Sequence, residues 1–150
     1  MAIAGSLHYE IYRRWSQFRL KRIFIPDHEK RIRPNYADLY FLYANVMTRR
    51  PKVIFEFGSG YSTLILSRAL SDIGVGKLYS MESEHYWFGE TKKLIPKNLL
   101  GFCEVIESPV EKIGPNKWRY TTIPDLVPDF LYLDGPGGGD GPSHLESNGH

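Results

Sequence analysis

The chain's pattern predicts an α/β protein, with an open, mainly parallel sheet, flanking helices and two further helices ahead of the sheet. Three observations carry that expectation. Val53–Phe57 is a near-continuous apolar run, the composition of a strand buried on both faces of a parallel sheet. A glycine turn, Gly58-Ser59-Gly60, follows it and opens a helical pattern. From there apolar runs alternate with helical segments through short connections, the order of right-handed βαβ units.

The elements follow in order. Ser6 to Lys21 reads as an amphipathic helix capped by Ser6, with Leu7, Ile11, Trp15 and Phe18 on one stripe and Arg13, Arg14, Arg19 and Lys21 mostly off it. A basic amphipathic helix can make weak peripheral contact with a membrane or an acidic partner, although packing on its own domain is the commoner use of such a stripe. Ile23 to Pro34 is a linker. Asn35 caps a second helix, Tyr36 to about Thr48, closed by Arg49, Arg50 and Pro51 with cations at the negative end of the helix dipole. These leading helices form an expected helical cap over 1–50, and 51–150 the sheet domain.

Val53–Phe57 is the first strand. Ser62 to about Asp72 is a helix with Leu64, Ile65, Leu66, Ala69 and Leu70 toward the sheet, and Gly74–Gly76 turns the chain back. Lys77–Met81 is the second strand, ending at Glu82. Glu84 to Ile95 is a helix stopped by Pro96. Gly101–Ile106 is the third strand. Glu107 to Pro128, interrupted by Pro109, Pro115, Pro124 and Pro128, reads as an irregular crossover, and Asp129–Leu133 is the fourth strand, ending at Asp134.

Composition narrows the function. The 150 residues suit one domain that can hold its own core, and a formal net charge of +2 gives no pull toward nucleic acid. The one cysteine, Cys103, excludes an internal disulfide and argues against a zinc cluster, and the five histidines show no metal spacing. The reducing cytoplasm is the expected compartment. The N-terminus carries charges where a secretory signal needs an apolar stretch, and no apolar run approaches the ~18–20 residues of a membrane helix.

Open α/β sheets bind ligands beyond the carboxyl ends of their strands. Here the first strand ends in Glu56-Phe57-Gly58-Ser59-Gly60-Tyr61-Ser62-Thr63. Glycines let the backbone turn sharply beside a ligand, and free N–H groups at the following helix start suit a carboxylate. A dinucleotide site asks for a third glycine where Thr63 stands, so no pyrophosphate clamp is completed. Glu56, just ahead of the turn, suits a cofactor bearing a positive charge.

This segment resembles the first motif of the class I S-adenosylmethionine-dependent methyltransferases, an acidic residue followed by glycine-x-glycine at the end of strand one. Glu82, next to Ser83, resembles the family's ribose-binding acidic residue after strand two. Glu107-Ser108 resembles the pair near the adenine after strand three, and Tyr132-Leu133-Asp134-Gly135-Pro136 the fourth motif. The resemblance spans Pro51 to Pro136 and implies a Rossmann-like domain.

It also implies roles. Glu56 would bind the methionine ammonium directly or through water, and Gly58, Ser59 and Gly60 would pass beneath the cofactor. Ser62 and Thr63 would cap the helix and reach the carboxylate, and Glu82 would take two ribose hydrogen bonds. Asp134 would face the sulfonium or serve as base, with His85 the other nearby titrating group. The expected activity is methyl transfer to a small-molecule or sugar-like acceptor, as an O-methylation. A nicotinamide-dependent oxidoreductase and a non-catalytic binding module are the competing classes. The family carries three more strands after strand four, whereas this chain stops soon after Asp134. The expectation is therefore an incomplete sheet in a piece of a longer protein, or a chain that completes its sheet by pairing with another copy as a homo-oligomer.

Overall fold

The computed structural model describes Lys30 and residues 34–134. The expected helix Ser6–Lys21, most of the linker and everything past Asp134 lie outside the described residues.

Helix α1 spans Tyr36–Arg49. The Asn35 side chain accepts a hydrogen bond from the Ala37 N–H at 3.0 Å, satisfying one of the helix's open donors. Arg50 ends the helix in a left-handed conformation, its N–H bonded to Val46 O at 2.8 Å. Strand β1 (Val53–Phe57) leads into α2 (Tyr61–Ile73), then β2 (Lys77–Glu82), α3 (His85–Leu94) and β3 (Cys103–Glu107). The expected strands and helices are present with ends shifted by one or two residues, within the ambiguity of any helix or strand end.

Between β3 and the last strand the structure departs from expectation. The proline-interrupted stretch is no irregular crossover but carries an antiparallel hairpin, β4 (Val110–Gly114) and β5 (Lys117–Tyr120), before β6 (Phe130–Leu133). Pro109 and Pro115 sit just outside the strands, where a missing N–H removes no ladder bond. Asn116 makes the turn at φ 53°, a conformation asparagine tolerates.

The main sheet has the order β3-β2-β1-β6, all parallel. Sequence order reverses between β2 and β6, both neighbours of β1, so the switch point lies where β1 ends. Asp129 fixes the other end of the β1–β6 pair. Its carboxylate accepts the Lys52 and Val53 N–H groups at 2.9 and 2.8 Å. Burial raises this carboxyl, but those backbone donors outweigh it and hold the group below its ordinary value.

Helix α1 is part of the same core as the sheet: Leu42 and Val46 pack in one cluster with Ile54, Leu64, Leu70 and Leu78. Gly76 is required by close approach, since at φ +109° a side-chain carbon there would lie 2.7 Å from Leu70 Cδ2 and 2.9 Å from Pro51 O. On β6, Phe130 and Tyr132 turn to the core, while Leu131 and Leu133 are exposed on the opposite face. Among the described residues no helix is long and apolar enough to cross a membrane.

Candidate functional site at the strand ends

Gly58 leaves β1 at φ +91°, a backbone state that L-residues rarely adopt. Its N–H bonds Met81 O at 2.8 Å, which lays the turn against the end of β2. Thr63 Oγ1 reaches back to accept the Gly60 N–H at 2.9 Å, and the Thr63 N–H bonds Gly60 O at 3.1 Å. The helix start is thus closed by its own threonine, as in a capping box.

Glu56 is fully buried beneath this turn. Its Oε2 accepts hydrogen bonds from Thr63 Oγ1 and Ser80 Oγ, each at 2.6 Å, and its Oε1 accepts one from Ser62 Oγ. Burial pushes the carboxyl up to about 7, against the three hydroxyl bonds that pull it down, with the nearby Asp134 charge adding to the rise. Ser62 Oγ also lies 3.4 Å from Asp134 Oδ2. Asp134 continues β6, its N–H bonded to Phe57 O at 2.8 Å, and desolvation lifts its carboxyl above the usual range although Ser62 opposes this. Of the two routes expected for Glu56, direct contact with a ligand ammonium is closed by this enclosure. Its reach runs through Ser62 toward Asp134. Ser62 and Thr63 are themselves buried and committed to Glu56 and the cap.

Glu82 forms a second cluster at the end of β2. Its Oε2 accepts from the Ser59 N–H at 3.0 Å and from Ser59 Oγ at 2.6 Å, and its Oε1 accepts the Glu84 N–H at 3.0 Å. Ser59 Oγ also lies 2.9 Å from Thr91 Oγ1 on α3. A carboxylate offers about four acceptor positions, so Glu82 has room for one further donor rather than the two assigned to a ribose. Ser83 follows it, half-buried.

The remaining candidates sit farther along the sheet. His85, at the start of α3 and 86% exposed, pairs its Nδ1 at 2.8 Å with Oε1 of Glu107, the last residue of β3. β3 and β6 are opposite edges of the sheet, about 14 Å apart at the usual strand spacing. The two candidate acid–base groups, Asp134 and His85, are therefore not brought together. Ser108 is buried and structural: its N–H bonds Glu82 O at 2.7 Å and its Oγ accepts the Thr122 N–H at 2.8 Å.

Ser80 joins the site although sequence reasoning did not place it there, and so does Tyr120, whose segment Trp118-Arg119-Tyr120 reads in sequence as loop aromatics equally suited to an acceptor pocket or to packing. Ser80 faces Glu56 across the β1–β2 register. A serine inside an otherwise apolar strand was the available signal. Tyr120, on β5, packs its ring on Phe57 with centroids 5.1 Å apart. Its hydroxyl is buried and, among the described residues, has no hydrogen-bond partner. Its fate depended on the hairpin, which the prolines hid.

None of the ion pairs among the described residues involves Glu56, Glu82 or Asp134. No group of three or more potential metal ligands is gathered there either. Three carboxylates thus stand at the ends of adjacent strands with no cationic partner among the described residues.

The parallel order β3-β2-β1-β6, with helices on the connections and a glycine turn at the switch point, is a Rossmann-like arrangement. The structure is similar to the SAH-bound crystal structure of the methyltransferase PaMTH1 from Podospora anserina, with a TM-score of 0.51 and 20% identity over 83% of this chain. The match covers 48% of that protein, so this chain spans about half the length of the relative it resembles. No protein-family model matches the chain, and no curated protein sequence matches it.

Proposed function

We propose that this chain binds S-adenosylmethionine and serves methyl transfer to a small-molecule or sugar-like hydroxyl. The observation that carries the reading is the set of uncompensated carboxylates Glu56, Glu82 and Asp134 around the glycine turn at the switch point. The fold shared with a methyltransferase supports it. A dinucleotide would bring a pyrophosphate to these carboxylates, and Thr63 occupies the place of the glycine its motif uses.

The donor chemistry of the site fits the cofactor. Glu82 keeps an acceptor position for a ribose hydroxyl, and the Ser62–Asp134 side offers negative charge to a cationic group. When bound, S-adenosylmethionine supplies a methyl carbon activated by the adjacent positive sulfur. The chain's own residues then have three tasks. The Gly58 turn brings backbone close to the ligand. Glu82 orients the sugar. Asp134, with a carboxyl more basic than an ordinary one, would accept the proton of an acceptor hydroxyl whose oxygen takes the methyl group as the methyl–sulfur bond breaks and S-adenosylhomocysteine leaves.

Isothermal titration of the purified chain with S-adenosylhomocysteine, S-adenosylmethionine and NADH tests the reading. Binding of the two sulfur compounds, weakened by Glu82→Ala, is the expected result. NADH binding alone would reverse the choice in favour of an oxidoreductase. Cofactor binding without methyl transfer to any pool of hydroxyl acceptors would point to a binding module.

A further inference from the structure

We propose that the Tyr120 hydroxyl, presented by the β4–β5 hairpin over the ends of β1 and β2, donates a hydrogen bond to a ribose hydroxyl oxygen of the bound adenosyl cofactor. The inference rests on the proposed cofactor reading and adds to it a recognition element from outside the sheet.

The position follows from how the hairpin is tied down. The Ser108 N–H bonds Glu82 O at 2.7 Å, so the chain, leaving β3 for the hairpin, is pinned to the residue that ends β2. The return strand is fixed at the same place, through the Thr121 N–H to Pro109 O at 2.9 Å and the Thr122 N–H to Ser108 Oγ at 2.8 Å. Tyr120 pairs across the ladder with Val110 and precedes these anchors. Its ring meets Phe57, the last residue of β1 before the glycine turn. One side chain thus touches the end of β1 while its backbone is fastened to the end of β2.

The chemistry is equally specific. A buried hydroxyl without a partner is costly, and a fold that only needed the ring would do better with phenylalanine. The Tyr120 hydroxyl has no partner among the described residues. Burial first, then the charges of Glu82 and Glu56, keep the phenol protonated far above neutral pH, so it acts as a donor and not as a base. Glu82 has one acceptor position left. A ribose hydroxyl that gives its proton to Glu82 still carries lone pairs, and a neutral donor on the hairpin tied to the end of β2 can satisfy one of them. Carboxylate and phenol together read a sugar hydroxyl in both senses, as donor and as acceptor.

Tyr120→Phe removes one oxygen and keeps the ring. Calorimetric titration of S-adenosylhomocysteine into parent and variant is expected to show roughly two- to twelvefold weaker binding to Tyr120→Phe, the range for one neutral hydrogen bond. The melting temperature without ligand should stay unchanged or rise, because no internal bond is lost. Equal affinity in the two proteins overturns the role of Tyr120 and leaves the cofactor reading standing. A variant that melts several degrees lower without ligand shows that the hydroxyl serves the fold, and also overturns it. A parent that binds neither S-adenosylhomocysteine nor S-adenosylmethionine overturns the cofactor reading, and this inference with it.

Discussion

Glu56 is held at a cost that changes with pH, and Glu56→Gln exposes it. The carboxyl is completely buried and raised from its ordinary 4.5 to about 7. At about 1.4 kcal/mol per unit of pKa, the folded chain disfavours the ionised form by about 3 kcal/mol relative to the unfolded chain. The sign follows from proton counts. Between 4.5 and about 7 the folded chain still holds a proton that the unfolded chain has released. Stability from this group is therefore full below the lower value and is lost as pH rises through the upper one.

Glutamine is neutral throughout and stands in for the protonated acid. Its amide can donate to Ser62 Oγ, which can turn its own proton toward Asp134 Oδ2, 3.4 Å away. Any cost of rearranging the Thr63 and Ser80 hydroxyls is constant with pH, so the slope is the test. Urea unfolding of both proteins, followed by tryptophan fluorescence from pH 5 to 8, should show the variant gaining on the parent by about 2.5 kcal/mol across that range. In melting temperature this is roughly 5–10 °C for a chain of this size. Asp134 is raised as well and tilts both profiles in the same direction, so the difference between them reports chiefly on Glu56. Parallel pH profiles for parent and variant would refute the argument.

Three further outcomes follow from the geometry. Gly58→Ala forces an alanine to φ +91° and should cost about 1–3 kcal/mol, read as a lower melting temperature by scanning fluorimetry. Asp129→Asn weakens the clamp on the Lys52 and Val53 N–H groups and should cost about 1–2 kcal/mol at neutral pH in chemical denaturation. Because the Asp129 carboxyl is held low, that difference should shrink as pH falls through the acid range where the parent protonates. Leu133→Lys places a charge on the exposed face of an edge strand and should reduce self-association by light scattering, while moving stability by no more than about 0.5 kcal/mol.

How legible the fold was in the sequence depended on burial. Val53–Phe57 and Phe130–Leu133 belong to a sheet packed against helices, and the apolar runs set their positions within a residue. The β4–β5 hairpin is largely exposed, with a burial pattern of half-buried and exposed residues, so no apolar run marks it and its flanking prolines dominate the reading. The site divides in the same way. Gly58, Glu56 and Glu82 were recognisable because chain order places them at strand ends. Their hydrogen-bond partners were not. Ser80 meets Glu56 only through the register of two parallel strands, and Ser59 meets Glu82 only because the turn folds back across the end of β2.

Those hydroxyls also explain how the fold keeps so much negative charge at one place. Glu56, Glu82 and Asp134 have no lysine or arginine partner among the described ion pairs, and serine, threonine and backbone N–H groups share the burden. Neutral donors favour the ionised carboxylates without supplying an opposite charge, and burial still leaves the Glu56 and Asp134 carboxyls raised. A salt bridge would have stabilised the same positions at the expense of their attraction for a ligand cation. At an effective dielectric near 20, a unit charge brought within about 4–6 Å of one carboxylate exchanges about 3–4 kcal/mol with it. A cationic ligand recovers that energy, while a pyrophosphate would have to overcome it. On the proposed reading the hydroxyl-lined carboxylates are thus more than a substitute for ion pairs: they store, as lost stability near neutral pH, part of the free energy that a positively charged cofactor regains on binding.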